Sequence, residues 1–299
     1  MTTLFALIKR NIKLFFRDKG MFFTALITPM ILLVLYATFL AKVYRDSFLA
    51  GLPQGLSMAE ELINGCVGGQ LISSILAVSC ITVAFCSNML MVQDKANGSL
   101  RDFSISPVRA STMAIGYYIA TLISTLIICF IAAGICLLYT GKVGFYMSGK
   151  DVALLFGDIL LLTMFGTALS SVINFFLSTQ GQISAVGSIV NSCYGFICGA
   201  YMPISQFSEG LQKVLSILPG THGTSLVRNH CLQGCFAEME AQHFPKEVVD
   251  AMRDVVDCNV YFMDEPVALS SMYLYLGATV AVLIGIYVVL NVIKSKKAK

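Results

Sequence analysis

The residues best equipped for chemistry lie in one polar connector, Asp94-Lys95-Ala96-Asn97-Gly98-Ser99-Leu100-Arg101-Asp102, closed by Pro107-Val108. Asp94, Lys95, Arg101 and Asp102 can form charge-assisted hydrogen bonds to a soluble partner. Gly98 and Pro107 set where helix stops and turn begins. A second stretch, residues 144–151, has the glycines and lysine of a phosphate-binding loop. Asp151 stands there in place of the Ser or Thr that would hold the metal, so the stretch reads as a turn. No complete GxxxxGK[ST] occurs, and the chain is expected to hydrolyse no ATP and bind no cofactor of its own.

The remaining polar candidates are sparse. Asp158 would cost about 2.5–3.5 kcal/mol at a bilayer centre. Because residues 159–178 suffice to span alone, Asp158 is free either to sit at the outer headgroups or to line a pathway. Gln70, Asn88, Asn174 and Asn191 are neutral, and bond neighbouring helices or contact a substrate. Among ten cysteines, Cys231, Cys235 and Cys258 fall in an outer loop, where an oxidising compartment would allow a disulfide. Those cysteines with His230 and His243 match no standard zinc spacing, and no metal site is expected. The third histidine, His222, falls in the same loop, which leaves no histidine on the opposite face to build a membrane enzyme.

The elements that carry these residues are apolar and long. Six stretches lack any Asp, Glu, Lys or Arg: residues 21–40, 66–92, 110–140, 159–177, 183–202 and 267–293. About 20 apolar residues of helix cross a hydrocarbon core of roughly 30 Å, and backbone groups inside it must be paired internally. Hydrophobic residues make up 57% of the chain and charged ones 12%, with mean hydropathy +0.78, against about 25% charged in a soluble domain. The pattern predicts an all-α polytopic membrane protein with spans at 20–41, 66–92, 110–140, 152–178, 183–202 and 267–293. The turn at 178–182 predicts an antiparallel hairpin of the fourth and fifth spans. Gly195 and Gly199 form a GxxxG that could bring helices close.

Charge orients the spans. Residues 1–19, the connector 93–109, the turn and the tail 294–299 hold twelve basic and three acidic residues; the opposite side holds eight basic and thirteen acidic ones, Asp158 aside. Basic residues favour the inner face, so both termini are expected in the cytoplasm of a cell-membrane protein. In residues 4–17, Leu4, Phe5, Ile8, Ile12, Phe15 and Phe16 oppose Lys9, Arg10, Lys13 and Arg17, which predicts a cationic amphipathic helix on the inner surface. Between 203 and 266, Phe207, Leu211, Val214, Leu215 and Leu218 predict a short outer helix that dips into or lies on the leaflet. Val248, Val249, Met252, Val255 and Val256 predict a second one over 246–257. Both belong to a small outer cap or a substrate gate.

The connector resembles the corresponding loop of permeases in the type-2 ABC exporter family: an acidic–basic pair, Gly-Thr-Leu-Glu, a Pro-Val step, then Gly-Lys in the next span. Here Asp94 stands for Glu, Ser99 for Thr, Arg101-Asp102 for the directly following Glu, and Gly116-Tyr117 for Gly-Lys. Arg10-Asn11 through Lys19 with Pro29, and 199–207 with Leu218-Pro219 and Arg228, are similar to the family's interface helix and outer re-entrant region. The resemblance implies a permease that dimerises, with an identical or paralogous copy, and pairs with two cytoplasmic ATPase subunits that carry ATP and Mg. It further implies that residues 1–19 and Asp94, Lys95, Gly98, Ser99, Leu100, Arg101, Asp102 and Pro107 receive the ATPase movement. Spans without fixed charge suit an amphipathic or hydrophobic cargo such as a drug, lipid or peptide, and no nucleic acid. A secondary carrier or channel, or a polytopic membrane enzyme, is the rival reading.

Overall fold

The computed structural model describes residues 2–50, 58–99, 108–262 and 265–297. The expected amphipathic helix is α1 (Thr2–Arg17). After Asp18, whose side chain accepts the Met21 amide as an N-cap, α2 (Lys19–Leu35) continues through a π-helical turn (Tyr36–Leu40) into α3 (Ala41–Ala50). Next come α4 (Glu60–Ser87) and α5 (Met89–Ala96), which are separated only at Asn88. Two long helices follow, α6 (Ala110–Val143) and α7 (Gly149–Phe176), then α8 (Gln180–Ile197). Between α8 and the last helix come α9 (Glu209–Ile217), α10 (Pro219–Ala241), α11 (Lys246–Val255) and a two-residue antiparallel ribbon pairing Tyr261 with Pro266. The last helix is α12 (Leu269–Lys297).

Five helical runs among the described residues are long and apolar enough to cross a membrane: Lys19–Asp46, Glu60–Ala96, Ala110–Val143, Gly149–Phe176 and Leu269–Lys296. The span expected over 183–202 is different. Its helix, α8, starts earlier and stops at Ile197, where the chain turns through Gly199 at φ +72°. Gln180, Gln182 and Asn191 make it too polar to stand with the other five. The GxxxG does not join two helices either: Gly195 lies under Tyr201 of its own turn. Nor do α7 and α8 form the expected hairpin. The Thr179–Gln182 capping box starts α8 in a new direction, and it packs chiefly on α4 and α5.

The centre of the molecule is α4. It packs against α2, α6, α7, α8 and α10 and is buried nearly all round, whereas α2 and α12 keep most of their apolar surface outward. Such a continuously apolar helix without a polar stripe is stable only when enclosed by other helices or lipid. The region between α8 and α12 contains the two short helices expected, α9 and α11, the latter burying Val249 and Met252. It also contains one that periodicity did not reveal. At 23 residues α10 is long enough to cross a bilayer, yet it carries His222, Arg228, Asn229 and His230, all buried against α4, α7 and α12.

Candidate coupling interface and transmembrane pathway

At one end of the bundle α1 lies along α6. Its buried stripe is Leu7, Asn11 and Phe15, one residue per turn, while Phe5, which was expected to share the apolar face, is exposed. Lys9, Lys13 and Arg17 point outward, and Arg10 turns inward. Its Nη1 and Nη2 donate to Asp94 Oδ2 and Oδ1 at 2.6 and 3.1 Å, and Nη1 also donates to Asn11 Oδ1 at 2.8 Å. The hydroxyl of Tyr117, on α6, donates to the same Asp94 oxygen at 2.6 Å. Asp94 is 5% exposed, and its hydrogen bonds raise the Arg10 guanidinium above its ordinary pKa. Its bonds to Arg10 and Tyr117 lie within the chain. Three helices meet on one carboxylate.

Lys95 is likewise engaged internally. Its Nζ donates to the carbonyls of Asn174, Phe175 and Leu177 at 2.8, 2.8 and 3.1 Å, closing the unsatisfied C-terminal turn of α7 with a cation. Beyond Asn97, Gly98 adopts φ +81°, the left-handed cap that favours glycine. Ser99 follows it, half-buried. Leu100, Arg101, Asp102 and Pro107 lie outside the described residues.

The neutral polar residues separate into two groups. At the break between α4 and α5, Asn88 Nδ2 donates to Ser170 and Ser171 Oγ at 3.0 and 3.1 Å, and Asn174 donates to the Asn88 carbonyl at 3.4 Å. These bonds join helices, as neutral amides in spans commonly do. Asn191 instead faces a cavity of about 240 Å³ between α2, α4, α5 and α8, together with Asn174, Thr24, Thr28, Thr82, Ser184 and Ser188. Ala25, Val83, Phe85, Met89, Ile183, Val186 and Gly187 complete the lining, which contains no ionisable group except the Cys86 thiol. Hydroxyl and amide groups on an apolar wall can hold a ligand with both characters.

On the opposite side of the bundle, α10 gathers the buried charges. Arg228, 1% exposed, donates to the Gly199 carbonyl at 2.9 Å and Ser74 Oγ at 3.3 Å, with Asp257 Oδ2 at 3.4 Å. Asp257 also accepts the Ile204 amide at 2.8 Å and sits at φ +52°. Burial pushes its pKa up to about 6 against the lowering pull of Arg228. Asp158 is 2% exposed. Its Oδ2 lies 2.5 Å from His230 Nδ1, and its Oδ1 accepts the Tyr273 hydroxyl. His222 and His230 are therefore parts of a buried helix rather than of a loop. Charge composition disguised it: a helix rich in Thr, Ser, His and Asn reads as soluble until its covering helices are known.

The cysteines are all thiols. Cys231, Cys235 and Cys258 are all buried, and Cys235 Sγ lies against Gly65 of α4. At 144–151 Asp151 caps its own helix: Ser148 N donates to Asp151 Oδ2 at 2.9 Å, and Asp151 N to Ser148 Oγ at 3.2 Å.

No curated protein matches the chain. A family model described as ABC-2 type transporter matches residues 2–231, from the first turn of α1 to the middle of α10. That family is a membrane component of transporters whose ATPase is a separate, partnering subunit. With its several membrane-length helices and its α1 helix braced on the connector base, this chain belongs to the ABC-2 type transporter family.

Proposed function

We propose that the chain is a six-span permease subunit of an ATP-driven exporter, with α8 as its fifth span. Both termini face the cytoplasm of the cell membrane. Two copies, identical or paralogous, form the pathway, and two ATPase subunits carry the ATP and Mg. The observation that carries this reading is the bracing at Asp94 and Lys95. Arg10 and Tyr117 tie α1 and α6 to the base of the connector, and Lys95 ties that base to α7. A push on the connector from a soluble engine is then delivered to two spans and the interface helix as one body. The Asn191 cavity supports an uncharged amphipathic cargo, since a fixed ion would find no counter-charge on that wall.

The test is reconstitution in lipid vesicles with the partner ATPase. ATP turnover should require both subunits and rise with an amphipathic cargo, and Lys95→Met should lower the turnover while leaving assembly intact. Labelling of single introduced cysteines in intact cells, with an impermeant reagent, should modify position 246 and spare position 296. Turnover by the permease alone, or the reverse labelling, overturns the reading.

A further inference from the structure

We propose that Asp158, His230 and Tyr273 form a proton-operated latch that fastens α10 to α7 and α12. Three elements supply one residue each: the carboxylate comes from α7, the imidazole from α10 and the phenol from α12. Asp158 and His230 are 2% and 9% exposed, so the pair is made largely out of water, where a charge without its counter-charge is expensive. Asp158 follows the start of α7 by nine residues, about 13 Å of helix, on the side where the cap lies. This placement on the outer side rests on the orientation proposed above.

Asp257, which holds Arg228 of α10, also changes charge near pH 6, and the His230→Asn comparison separates its effect from that of the pair. Tyr273 is the ionisable group that α12 brings to Asp158. On α10 itself the buried Cys231 directly follows His230, and its thiol feels the charges of Asp158, Cys136 of α6, Cys258 and Arg228. From α4 the same turn of α10 meets Gly69, which packs on Cys231 and Leu232. Arg228, two residues before His230, is roughly 200° round the helix and is held by Asp257, Ser74 and Gly199. Of these types only an imidazole ordinarily changes charge between about pH 5 and 8. Protonated, His230 faces Asp158 as a cation against an anion, and α10 is held on both neighbours. When the imidazole loses its proton, the buried carboxylate keeps only neutral donors. The attachment weakens, freeing the outer side of α10 to move. A rise in external pH thus releases the latch.

The experiment uses the full-length chain in detergent and measures N-ethylmaleimide labelling of Cys231 by peptide mass spectrometry between about pH 5.5 and 8.5. A cysteine introduced in place of exposed Lys246 serves as the reference thiol. The ratio of Cys231 to this reference should rise at least about threefold across this range in the chain with Asp158 and His230 intact. It should stay flat in His230→Asn, whose amide still donates to Asp158 but cannot titrate, and in Asp158→Asn. A flat ratio with both residues intact overturns the latch whatever the variants do, and so does a rise that persists in His230→Asn. In intact cells the rise should follow the external pH. If it follows the internal pH, the orientation fails while the latch stands.

Discussion

Leu7 of α1 lies on the bare backbone of Gly116 in α6, so close that a β-carbon there would sit 2.5 Å from Leu7 Cδ2 and 3.2 Å from its Cγ. The interface helix reaches Asp94 only because this contact lets it approach.

Gly116→Val should therefore lift α1 off α6. Forced overpacking costs about 1–3 kcal/mol, read as a lower thermal midpoint. Leu7→Ala in the same chain should recover part of the loss, although alone it destabilises. Additive losses from the two changes would mean that the pair does not share this space.

Removing Arg10 should hurt more than removing Asp94. Arg10→Ala leaves a carboxylate that is 7% exposed with Tyr117 as its one partner among the described residues, whereas Asp94→Ala leaves a guanidinium one-third exposed to water. A double-mutant cycle on unfolding should give a coupling of about 1–2 kcal/mol. In the reconstituted complex both variants should lower ATP turnover driven by cargo.

Gly98 offers a test in which space and conformation are separable. No atom lies within 4 Å of a β-carbon placed there, but φ is +81°. Gly98→Val should cost about 1–2 kcal/mol through the left-handed backbone, whereas Gly98→Asn, which tolerates that region, should cost less. If valine and asparagine behave alike in coupled ATP turnover, the cap geometry is not what transmits motion.

Asp257 gives a pH signature. Its folded pKa of about 6 lies above the ordinary 3.8, so between these values the folded chain retains a proton that the unfolded chain has released. Stability should fall as pH rises through that window, by up to about 3 kcal/mol. Asp257→Asn, which accepts the positive φ, should remove this slope in thermal unfolding at a series of pH values. An unchanged slope would assign it to another group.

What the sequence by itself determined is what is local or summed along the chain. Membrane-length apolar runs, the cationic α1, the cap at Gly98, and the short helices α9 and α11 follow from hydropathy, period and capping residues, which need no distant partner. The three segments that carried the family resemblance are also continuous. Tertiary structure alone decided what depends on distant pairs. Asp158 meets His230 72 residues away, and Arg10 meets Asp94 across 84, so neither spacing leaves a trace in any window of sequence. The same is true of α10. Its Thr, Ser, His and Arg side chains are polar enough to suggest a loop in water, and only enclosure by α4, α7 and α12, with a partner for Arg228 and one for His230, makes it a buried helix. The end of the fifth apolar stretch was likewise set by packing, because the turn at Gly199 supplies the carbonyl that Arg228 requires. An apolar run specifies burial; which neighbour buries it, and which charges meet inside, is a property of the assembled helices.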